Sequence, residues 1–336
     1  MKNVSIVILN WNGKHFLERF LPSIIKYSTD PDTEIIIADN GSTDDSVAFT
    51  QKKYPDIRII KLDRNYGFAE GYNRAFEFID SRYAVILNSD VEVTENWLQP
   101  MVRFLDDHPD AAACMPKLRW LDYPEQFEYA GAAGGFIDIL GFPFCRGRVF
   151  QTLEKDNGQY DHITNIFWSS GACTVIRTEI YKKLGGFDNN FFAHMEEIDL
   201  CWRIKNSGYN IYCVPQSVIY HMGGGSLPKD NPHKTYLNYR NNYSLLLKNL
   251  PILYIISVFL FRFFLDIVQL IRFFFESKPK HAMAVCKAFF HFLFKIPACI
   301  AFRLKSKAHR KIHKEMYLGS IAWRYFVLKK LLTPYC

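Results

Sequence analysis

Polar side chains follow four short apolar runs in the first part of this 336-residue chain. Each polar cluster alone is ordinary turn chemistry, and Asp44 is expected to cap the helix that follows it. Ligands of open α/β sheets bind in a crevice beyond the carboxyl ends of the strands, so four clusters at one such edge predict a ligand site. The clusters are Asn10–Asn12, Asp39–Asp44, Asp63–Ala69 and Asn88–Asp90.

The residue types in these clusters suit a nucleotide and a divalent cation. Asp39, at the end of a predicted strand, could accept hydrogen bonds from a nucleobase or a ribose. Asn88 and Asp90 offer an amide oxygen and a carboxylate, which are hard ligands for a cation that also binds a substrate diphosphate. The single glycine after the first strand, Gly13, does not make the G-x-G-x-x-G signature of hydride-transfer enzymes, and the sequence contains no Walker phosphate loop.

A second group of acids, Glu196, Glu197 and Asp199, opens a predicted helix. The helix dipole favours negative charge at this end, so the group is either ordinary helix chemistry or a general base beside the crevice. Two interpretations are also open for His221, which precedes the glycines of residues 223–225. The segment is either a plain glycine turn or a closing lid on which the histidine binds a metal or a diphosphate.

Runs rich in Ile and Val alternate with segments of helical periodicity in the first third of the chain. This alternation predicts buried parallel strands joined by helices, a doubly wound α/β sheet. Glu128–Gln159 is instead rich in glycine and predicts a loop-rich excursion over the sheet. The predicted strands are Val4–Leu9, Glu34–Ala38, Ile57–Lys61, Tyr83–Leu87, Cys173–Arg177 and Ile211–Pro215, and the predicted helices are His15–Tyr27, Asp44–Lys53, Ala69–Asp80, Glu179–Lys183 and Glu197–Ser207.

Composition and charge divide the chain into two parts. Hydrophobic residues make up 49% and charged residues 22%, which is globular composition and excludes a disordered chain. Residues 245–336 carry a charge balance of +13, whereas residues 1–244 carry −6. An acidic body joined to a basic tail predicts two regions, a body over 1–249 that holds all of the candidate site residues and a basic, Phe-rich helical region over 250–336.

The N-terminus and the cysteines favour a cytoplasmic protein. The apolar run Val4–Leu9 is too short for the core of a secretory signal, so the chain is expected to start and stay in the cytoplasm. None of the eight cysteines forms a C-x-x-C pair, and we expect reduced, buried thiols.

The tail predicts amphipathic helices. Pro251–Phe275 is long enough to span a bilayer, but charged residues are costly at the bilayer centre. A polar stripe on one face is typical of a helix that lies in the membrane interface. His281–Ile296 repeats the pattern, and Pro297 is expected to break or kink it. The polar residues are Arg262, Asp266, Gln269 and Arg272 in the first segment, and Lys287, His291 and Lys295 in the second.

A basic run from Arg303 to Lys314 would add attraction to an anionic membrane surface. Two alternatives remain open for the tail: a helical hairpin docked on the body or on a partner, and helices that span the membrane. Nucleic acid is not expected as a partner, because phosphate binding needs no Phe-rich apolar face.

Eight motifs of this chain occur together, in family order, over about residues 3–245. Together they resemble the family 2 glycosyltransferases, and most closely the rhamnosyltransferase-like branch of bacterial surface polysaccharide enzymes. The resemblance implies a GT-A fold with a mainly parallel central sheet, which the amphipathic helices follow here. The motifs are Asn10–Gly13, Ala38–Asp44, Asn65–Asn73, Leu87–Asp90, Ser170–Cys173, Gly185–Asp188, Glu196–Arg203 and His221–Ser226.

The resemblance also implies roles for the matching residues. Asp39 would bind the base or ribose of a nucleotide sugar, and Asp90 with His221 would bind a divalent cation, Mg²⁺ or Mn²⁺. The catalytic base would be Glu197 or its neighbour Glu196, with Asp199 in the same motif. The rest of the nucleotide-sugar site would comprise Asn12, Asn65, Gly67, Asn73, Asn88, Gly171 and Arg240.

Two positions depart from the family pattern. Asn88 stands where the family has the first Asp of its D-x-D motif, which removes one negative charge from the metal site. Glu197 stands where the family has Asp, so the motif alone does not decide between Glu196 and Glu197.

The implied activity is transfer of one sugar, with inversion, from a nucleoside diphosphate donor to a hydroxyl of a lipid-linked surface-glycan acceptor. General-base help to such a hydroxyl accelerates a reaction by roughly 10²- to 10⁴-fold. The alternatives are a nucleotidyltransferase, which would release pyrophosphate, and a non-catalytic scaffold that binds a sugar nucleotide. We expect the protein to be attached peripherally to the inner face of the cell membrane.

Overall fold

The computed structural model describes residues 2–223, 231–306 and 308–335. Its strands form a large sheet and a small sheet. In chain order they are Val4–Asn10 (β1), Thr33–Asp39 (β2), Arg58–Lys61 (β3), Tyr83–Asn88 (β4), Val91–Val93 (β5), Ala111–Trp120 (β6), Gly135–Asp138 (β7), Pro143–Cys145 (β8), Arg148–Val149 (β9), Thr152–Leu153 (β10), Thr164–Asn165 (β11), Cys173–Arg177 (β12), Asn210–His221 (β13) and Met316–Tyr317 (β14).

The α-helices of the described residues fall between the strands of the body and then form most of the tail. Each strand and helix predicted up to Pro215 lies on an observed element, although β13 continues past Pro215 to His221. The helices are Lys14–Tyr27 (α1), Ser46–Lys53 (α2), Gly67–Phe76 (α3), Gln99–Asp107 (α4), Thr178–Lys183 (α5), Glu196–Asn206 (α6), Pro232–Asn249 (α7), Ile252–Phe275 (α8) and Pro279–Lys305 (α9).

The large sheet mixes parallel and antiparallel pairing. β3, β2, β1 and β4 are parallel neighbours, as the alternation of strands and helices predicts. β12 lies antiparallel between β4 and β6, and β6 pairs in parallel with β13. The predicted parallel sheet is therefore right for the first four strands. β12 interrupts the parallel order of the sheet. It can enter the sheet without a crossover helix, because an antiparallel strand can be joined to its neighbours by loops.

The segment predicted as a loop-rich excursion contains a sheet of its own. β10, β9, β8 and β7 form antiparallel neighbours, and β14 from the end of the chain pairs in parallel with β7. Gly147, between β8 and β9, has a φ of 89°, and a side chain there would meet the ring of Phe127. The glycines thus make tight turns of a small sheet, which corrects the prediction of a loop.

The cysteines have the predicted character. All seven cysteines among the described residues are free thiols, and every one except Cys286 is buried. Burial raises the pKa of Cys201 and of Cys213 to about 11, so these thiols stay protonated and unreactive at neutral pH.

The polar stripe of α8 faces the protein and its apolar residues face outward. Arg262 and Asp266 are buried: Arg262 donates to the carbonyl of Leu140 at 3.2 Å, and the Tyr243 hydroxyl donates to Asp266. Phe261, on the opposite side, is 64% exposed. The amphipathic helix is confirmed, but its polar face binds the body, where an isolated interfacial helix would turn it to water.

α9 runs without interruption through Pro297, which corrects the predicted break. Its long contact with α7 offers packing that can offset the backbone hydrogen bond that a proline removes. Both α8 and α9 are long and apolar enough to cross a membrane, and only 17% and 22% of their most apolar stretches are buried. Length and composition alone are weak evidence for spanning.

The end of the tail returns to the body. Arg303 donates to the carbonyls of Leu247 and Leu250 at 2.9 and 2.7 Å, and Arg310 donates to that of Lys248 at 2.8 Å. These carbonyls lie at the last turn of α7, where a helix leaves its C=O groups without internal partners. Part of the predicted basic run therefore caps α7. The division of the chain at residue 249 stays a prediction.

Candidate functional site

Strand register brings the predicted polar clusters to one edge of the large sheet. Asn10 lies opposite Asp39 where β1 and β2 end, and Asn88 lies opposite Leu9 at the end of β4. β12 begins opposite Leu87, so Gly171 precedes it at the same edge. The crevice expected beyond these strand ends is therefore lined by residues from β1, β2, β4 and the segment before β12.

Asp39 is held in a fixed orientation at the floor of this crevice. The carboxylate is 4% exposed and accepts from the Asn10 amide at 3.3 Å and from the backbone N–H of Ser42 at 3.1 Å. Asn10 also donates to the hydroxyls of Ser42 and Ser46 at 3.2 and 3.0 Å. These bonds position Asp39 without a basic partner among the described contacts.

Asn12 and Asp44 tie together the loops that follow β1 and β2. Asn12 Oδ1 accepts from the backbone N–H of Thr43 at 2.7 Å, and Asp44 accepts from the N–H of Lys14 at 3.1 Å. α2 begins at Ser46 with Asp45 as its N-cap, so Asp44 is not the cap residue that the sequence predicted. Asp44 instead links two helices: its carboxylate accepts from the N–H of Lys14 at the start of α1 and from the N–H of Ser46 at the start of α2.

The loop before α3 is built around Asn65 and Gly67. Asn65 Oδ1 accepts from the N–H of Gly67 at 2.8 Å and from the Asn40 amide at 3.1 Å. Gly67 has a φ of 75°, and a Cβ there would lie 2.6 Å from the ring of Phe192. Only glycine fits this close approach. The two residues thus shape the loop beside Asp39, as the resemblance implied.

His221 lies between two buried carboxylates. Its Nε2 is 3.1 Å from Asp90 Oδ1, and its Nδ1 is 3.3 Å from Glu128 Oε1, close enough for an ion pair although poorly aligned as a hydrogen bond. Burial opposes the charged imidazole, but Glu128 and Asp90 outweigh it and raise the pKa of His221 to about 10. The predicted pair of metal ligands is therefore adjacent in space.

Glu128 is the residue that sequence reasoning missed. It follows β6, is 2% exposed, and also accepts from the backbone N–H of Ala130. A single acid at the start of a glycine-rich segment carries no spacing pattern, so nothing in the sequence distinguished it from a surface carboxylate. The contact between Glu128 and His221 resembles the pairs in proteins in which a carboxylate orients a histidine that binds a metal.

The possible ligands at this edge suit a divalent cation whose remaining coordination positions are filled by a substrate. Among the described residues, no three His, Cys, Asp or Glu side chains are grouped as a metal site of their own. Asp90 and His221 supply one oxygen and one imidazole, and a diphosphate with waters could supply the remaining ligands. The glycine lid predicted after His221 includes Gly224, Gly225 and Ser226, which lie outside the described residues.

Glu196 and Glu197 open α6, and each has a buried carboxyl oxygen, Oε2, without a hydrogen-bond partner. Glu197 and Gly171 line the same small cavity. Burial raises the pKa of Glu197 to about 7, although three backbone N–H groups oppose the rise. Burial and then the charge of Glu197 raise the pKa of Glu196 well above its usual range. An acid poised near neutrality with an unused oxygen can accept a proton.

Asp199 has a structural place in the fold, and its catalytic role stays a prediction. It is fully buried, and its oxygens accept from Arg203, Lys248 and Asn249, each at 2.8 Å. Burial would raise the pKa of Asp199, but Lys248 and Arg203 outweigh it and hold that pKa below its usual value. Both oxygens are occupied, so Asp199 joins α6 to α7.

The side chains of Asn73 and Arg240 bond to the loop before α6, and their contacts with a nucleotide stay a prediction. The Asn73 amide donates to the carbonyl of Phe187 at 2.7 Å and accepts from the Tyr181 hydroxyl at 2.7 Å, so its groups are used in fixing the loop before α6. Arg240 donates to the carbonyls of Asn190 and Phe191, both at 3.0 Å. Both residues hold the loop that leads to Glu196.

The sequence of this chain is similar to a known protein family and to individual proteins. The family model described as Glycosyl transferase family 2 matches residues 5–185. An N-acetylglucosaminyl-diphospho-decaprenol L-rhamnosyltransferase of Mycobacterium tuberculosis is 25% identical over 254 residues, which cover 71% of this chain and 82% of the relative. Rhamnosyltransferase WbbL of Escherichia coli is 22% identical over 221 residues, which cover 63% of this chain and 80% of the relative.

The fold is shared with solved glycosyltransferases. A crystal structure of GalNAc-T7 with UDP, GalNAc and Mn²⁺ aligns with a TM-score of 0.61 at 16% identity. The alignment covers 90% of this chain but only 57% of that one. At this identity the similarity speaks for the fold alone.

Proposed function

Because this chain belongs to glycosyl transferase family 2, with the GT-A fold, we propose that it moves one sugar from a nucleoside diphosphate donor to a hydroxyl of a lipid-linked surface-glycan acceptor. It is a glycosyltransferase of the rhamnosyltransferase-like branch. A nucleotidyltransferase and a non-catalytic scaffold are disfavoured by this family membership. The identity of the donor, the acceptor and the cation, and the roles of the residues, are proposals.

The observation that carries the proposal is the position of the Asp90–His221 pair at the sheet edge that also presents Asp39. Asp39, fixed by Asn10 and Ser42, offers carboxylate oxygens to the ribose or base of the donor. Asn65 and Gly67 form the neighbouring wall. A donor bound in this order would place its diphosphate beside Asp90.

A divalent cation, Mg²⁺ or Mn²⁺, would neutralise charge on the departing diphosphate. Asp90 and His221 would hold it, and Glu128 would keep the imidazole turned toward it. Asn88 is partly exposed at the same strand end and would contribute a neutral oxygen at most. The loss of one carboxylate relative to the family motif makes the contributions of Asp90 and Glu128 more important.

Glu197 would act as the general base. Glu197 lines a small cavity together with Gly171, and its carboxyl oxygen Oε2 has no hydrogen-bond partner. It would take the proton of the acceptor hydroxyl as that oxygen attacks the anomeric carbon. Attack opposite the departing diphosphate inverts the configuration of the sugar in one step. Beside it, burial and then the charge of Glu197 raise the pKa of Glu196 well above its usual range.

The acceptor would be presented at the inner face of the cell membrane. The relative from Mycobacterium tuberculosis carries a diphospho-decaprenol acceptor in its name. In this chain the outer faces of α8 and α9 are apolar and exposed, which suits shallow insertion into a lipid surface. Exposed Lys305, Lys311 and Lys314 would add attraction to anionic lipids.

The test is a transfer assay with a panel of nucleotide sugars and lipid-linked glycan acceptors, with Mg²⁺ or Mn²⁺. We expect release of a nucleoside diphosphate that depends on the acceptor and is lost reversibly in EDTA and permanently in Asp90→Ala. Asp45→Ala is the matched control, because Asp45 is an exposed acid on the same chain. Release of pyrophosphate, or full activity in EDTA, would contradict the proposal.

A further inference from the structure

Four basic side chains line a groove between α7 and α9. Lys287, His291 and Lys295 recur at intervals of four residues, so they share one face of α9, and Arg240 faces them from α7. We call these four residues the basic groove. Among the described residues, none of the four has a carboxylate within ion-pair distance, although the body is acidic.

Tyr236 of α7 holds three of these groups together. Its hydroxyl lies 2.8 Å from Nδ1 of His291 and accepts from Arg240 at 3.3 Å. The Lys287 ammonium lies 5.4 Å from the centre of the Tyr236 ring. The groups are therefore gathered by a neutral side chain, which leaves the positive charges of Arg240 and Lys287 without a carboxylate partner among the described ion pairs.

Lys295 extends the groove toward the loop that precedes the proposed base. Its ammonium donates to Asn190 Oδ1 at 3.1 Å, and Arg240 binds the carbonyl of the same Asn190. Burial and then the charge of Arg240 lower the pKa of Lys295, as expected for two cations that repel each other. Two neighbouring cations held by neutral oxygens favour an anion between them.

A cavity of about 390 Å³ opens beside Lys295. One wall is the loop before α6, including Asp188, which is neutralised by Lys248 at 2.8 Å. The opposite wall is α9, with Ala298 and Phe302. The α9 wall thus offers the cation Lys295 next to apolar groups, which suits a ligand that joins an anionic head to a hydrocarbon.

The outer face of α9 adds the second half of such a site. Phe290 and Phe294 flank His291 in sequence and are exposed, with 84% of Phe294 accessible. If this face lies in a lipid surface, the groove sits at the boundary between lipid and protein, where the phosphates of a lipid-linked substrate are found.

We propose that the basic groove binds the diphosphate of the lipid-linked acceptor and places its glycan beside the loop that leads to Glu197 at the start of α6. The inference rests on the proposed function for the identity of the lipid. It also gives Arg240 a different ligand from the nucleotide sugar that the resemblance implied.

The test measures binding of farnesyl diphosphate, a short soluble polyprenyl diphosphate, to the full chain by titration calorimetry. The Asp90→Ala background in EDTA removes the cation site that would compete for a diphosphate. In that background, Lys295→Gln should weaken binding about tenfold, which corresponds to the loss of one charge-assisted contact. Lys287→Gln should weaken binding in the same direction. Lys280→Gln removes the same charge from an exposed position of α9 and should change affinity less than about twofold.

Two further ligands identify what the groove recognises. Farnesol, which lacks the diphosphate, should bind all variants equally, and inorganic pyrophosphate should bind more weakly than farnesyl diphosphate. Equal losses in Lys295→Gln and Lys280→Gln would overturn the proposal. It is also overturned if Lys295→Gln binds farnesyl diphosphate normally but loses affinity for phosphatidylglycerol vesicles, since the groove would then serve a phospholipid headgroup.

Kinetics separates this inference from the proposed function. In the chain with Asp90 intact, Lys295→Gln should raise KM for a lipid-linked acceptor and leave KM for the nucleotide sugar unchanged. If the unmodified protein transfers sugar but the groove variants bind farnesyl diphosphate with the same affinity as the unmodified protein, the inference fails and the proposed function stands. If groove variants lose farnesyl diphosphate but no acceptor supports transfer, the diphosphate site stands and the function fails.

Discussion

His221 Nδ1 lies 3.3 Å from Glu128 Oε1, on the side of the imidazole away from Asp90. A carboxylate in this position fixes the orientation of the ring and leaves Nε2 directed at the crevice. Glu128 is therefore a positioning residue for the proposed cation site.

Replacing Glu128 should weaken the cation site without removing a ligand. Glu128→Gln should lower Mn²⁺ affinity by about 10- to 100-fold, because a neutral amide orients the ring of His221 less firmly and makes the imidazole a weaker ligand than a carboxylate does. Electron paramagnetic resonance of free Mn²⁺ gives the affinity directly. Glu125→Gln, at an exposed position close in sequence, is the control and should bind Mn²⁺ normally. Unchanged affinity in Glu128→Gln would show that the contact does not support the site.

The two glutamates at the start of α6 can be separated by substitution. Glu197→Gln keeps the shape of the side chain but cannot accept a proton, so kcat should fall at least about 10²-fold while the donor still binds. Glu196→Gln should keep most of kcat, because Glu197 and not Glu196 lines the cavity that Gly171 also lines. Single-turnover rates and donor titrations provide both quantities. The reverse pattern would assign the base to Glu196.

The pH profile follows from the raised pKa of Glu197. Below about pH 7 this carboxyl is protonated and cannot act as a base, so kcat/KM should rise with pH through about 7. The same rise should persist in Glu196→Gln, since the pKa of Glu197 is raised by burial. The nearby Cys201 thiol titrates well above this range, with a pKa of about 11. A profile that is flat from pH 5.5 to 8 would exclude Glu197 as the titrating base.

Asp199 should prove structural. Asp199→Ala leaves Lys248 and Arg203 buried without one of their carboxylates, which should cost about 3–5 kcal/mol of unfolding free energy. Urea unfolding measures this loss, and Asp56→Ala at an exposed position should change stability by less than about 0.5 kcal/mol.

Acid should remove the stabilising contribution of the neighbouring ion pair between Asp188 and Lys248, which urea unfolding at different pH values measures. Burial opposes ionisation of Asp188, but Lys248 outweighs it and lowers the pKa of Asp188 to about 2. The stability is present above the ordinary carboxyl pKa near 4 and disappears as pH falls toward 2. A catalytic rather than structural Asp199 would instead lose kcat at unchanged stability.

The exposed face of α8 should carry the attachment to lipid. Phe261→Ser combined with Phe264→Ser should reduce sedimentation with anionic vesicles, since each ring loses the gain of inserting its apolar surface. Phe78→Ser, an exposed phenylalanine of the body, should leave sedimentation unchanged. Alkaline carbonate should extract the unmodified protein, whereas a need for detergent would indicate that α8 spans the membrane.

Point substitutions suit this test better than removal of the tail. Cutting the chain after Asn249 would take away Arg303 and Arg310, which cap α7, and β14, which completes the small sheet. His313 would also be lost from its 2.9 Å contact with Asn206 in the body. A shortened chain could therefore lose activity for reasons unrelated to lipid.

The sequence determined the order of strands and helices in the body and the edge at which the polar clusters meet. Strands such as β1 and β4 are continuous apolar runs because both of their faces are buried, and a short-range pattern of this kind can be recognised along the chain. The positions of Asp39 and Asp90 follow directly, since each comes at or just after the end of such a strand.

Tertiary structure alone decided which polar residues touch. Asp90 meets His221 across 131 positions, and Asp199 meets Lys248 across 49, distances at which local periodicity carries no information. The same holds for Glu128, whose importance rests on one contact with His221. The polar stripe of α8 can be recognised in the sequence, but its orientation cannot. Arg262 and Asp266 face the protein because buried charges require partners, which the carbonyl of Leu140 and the hydroxyl of Tyr243 supply.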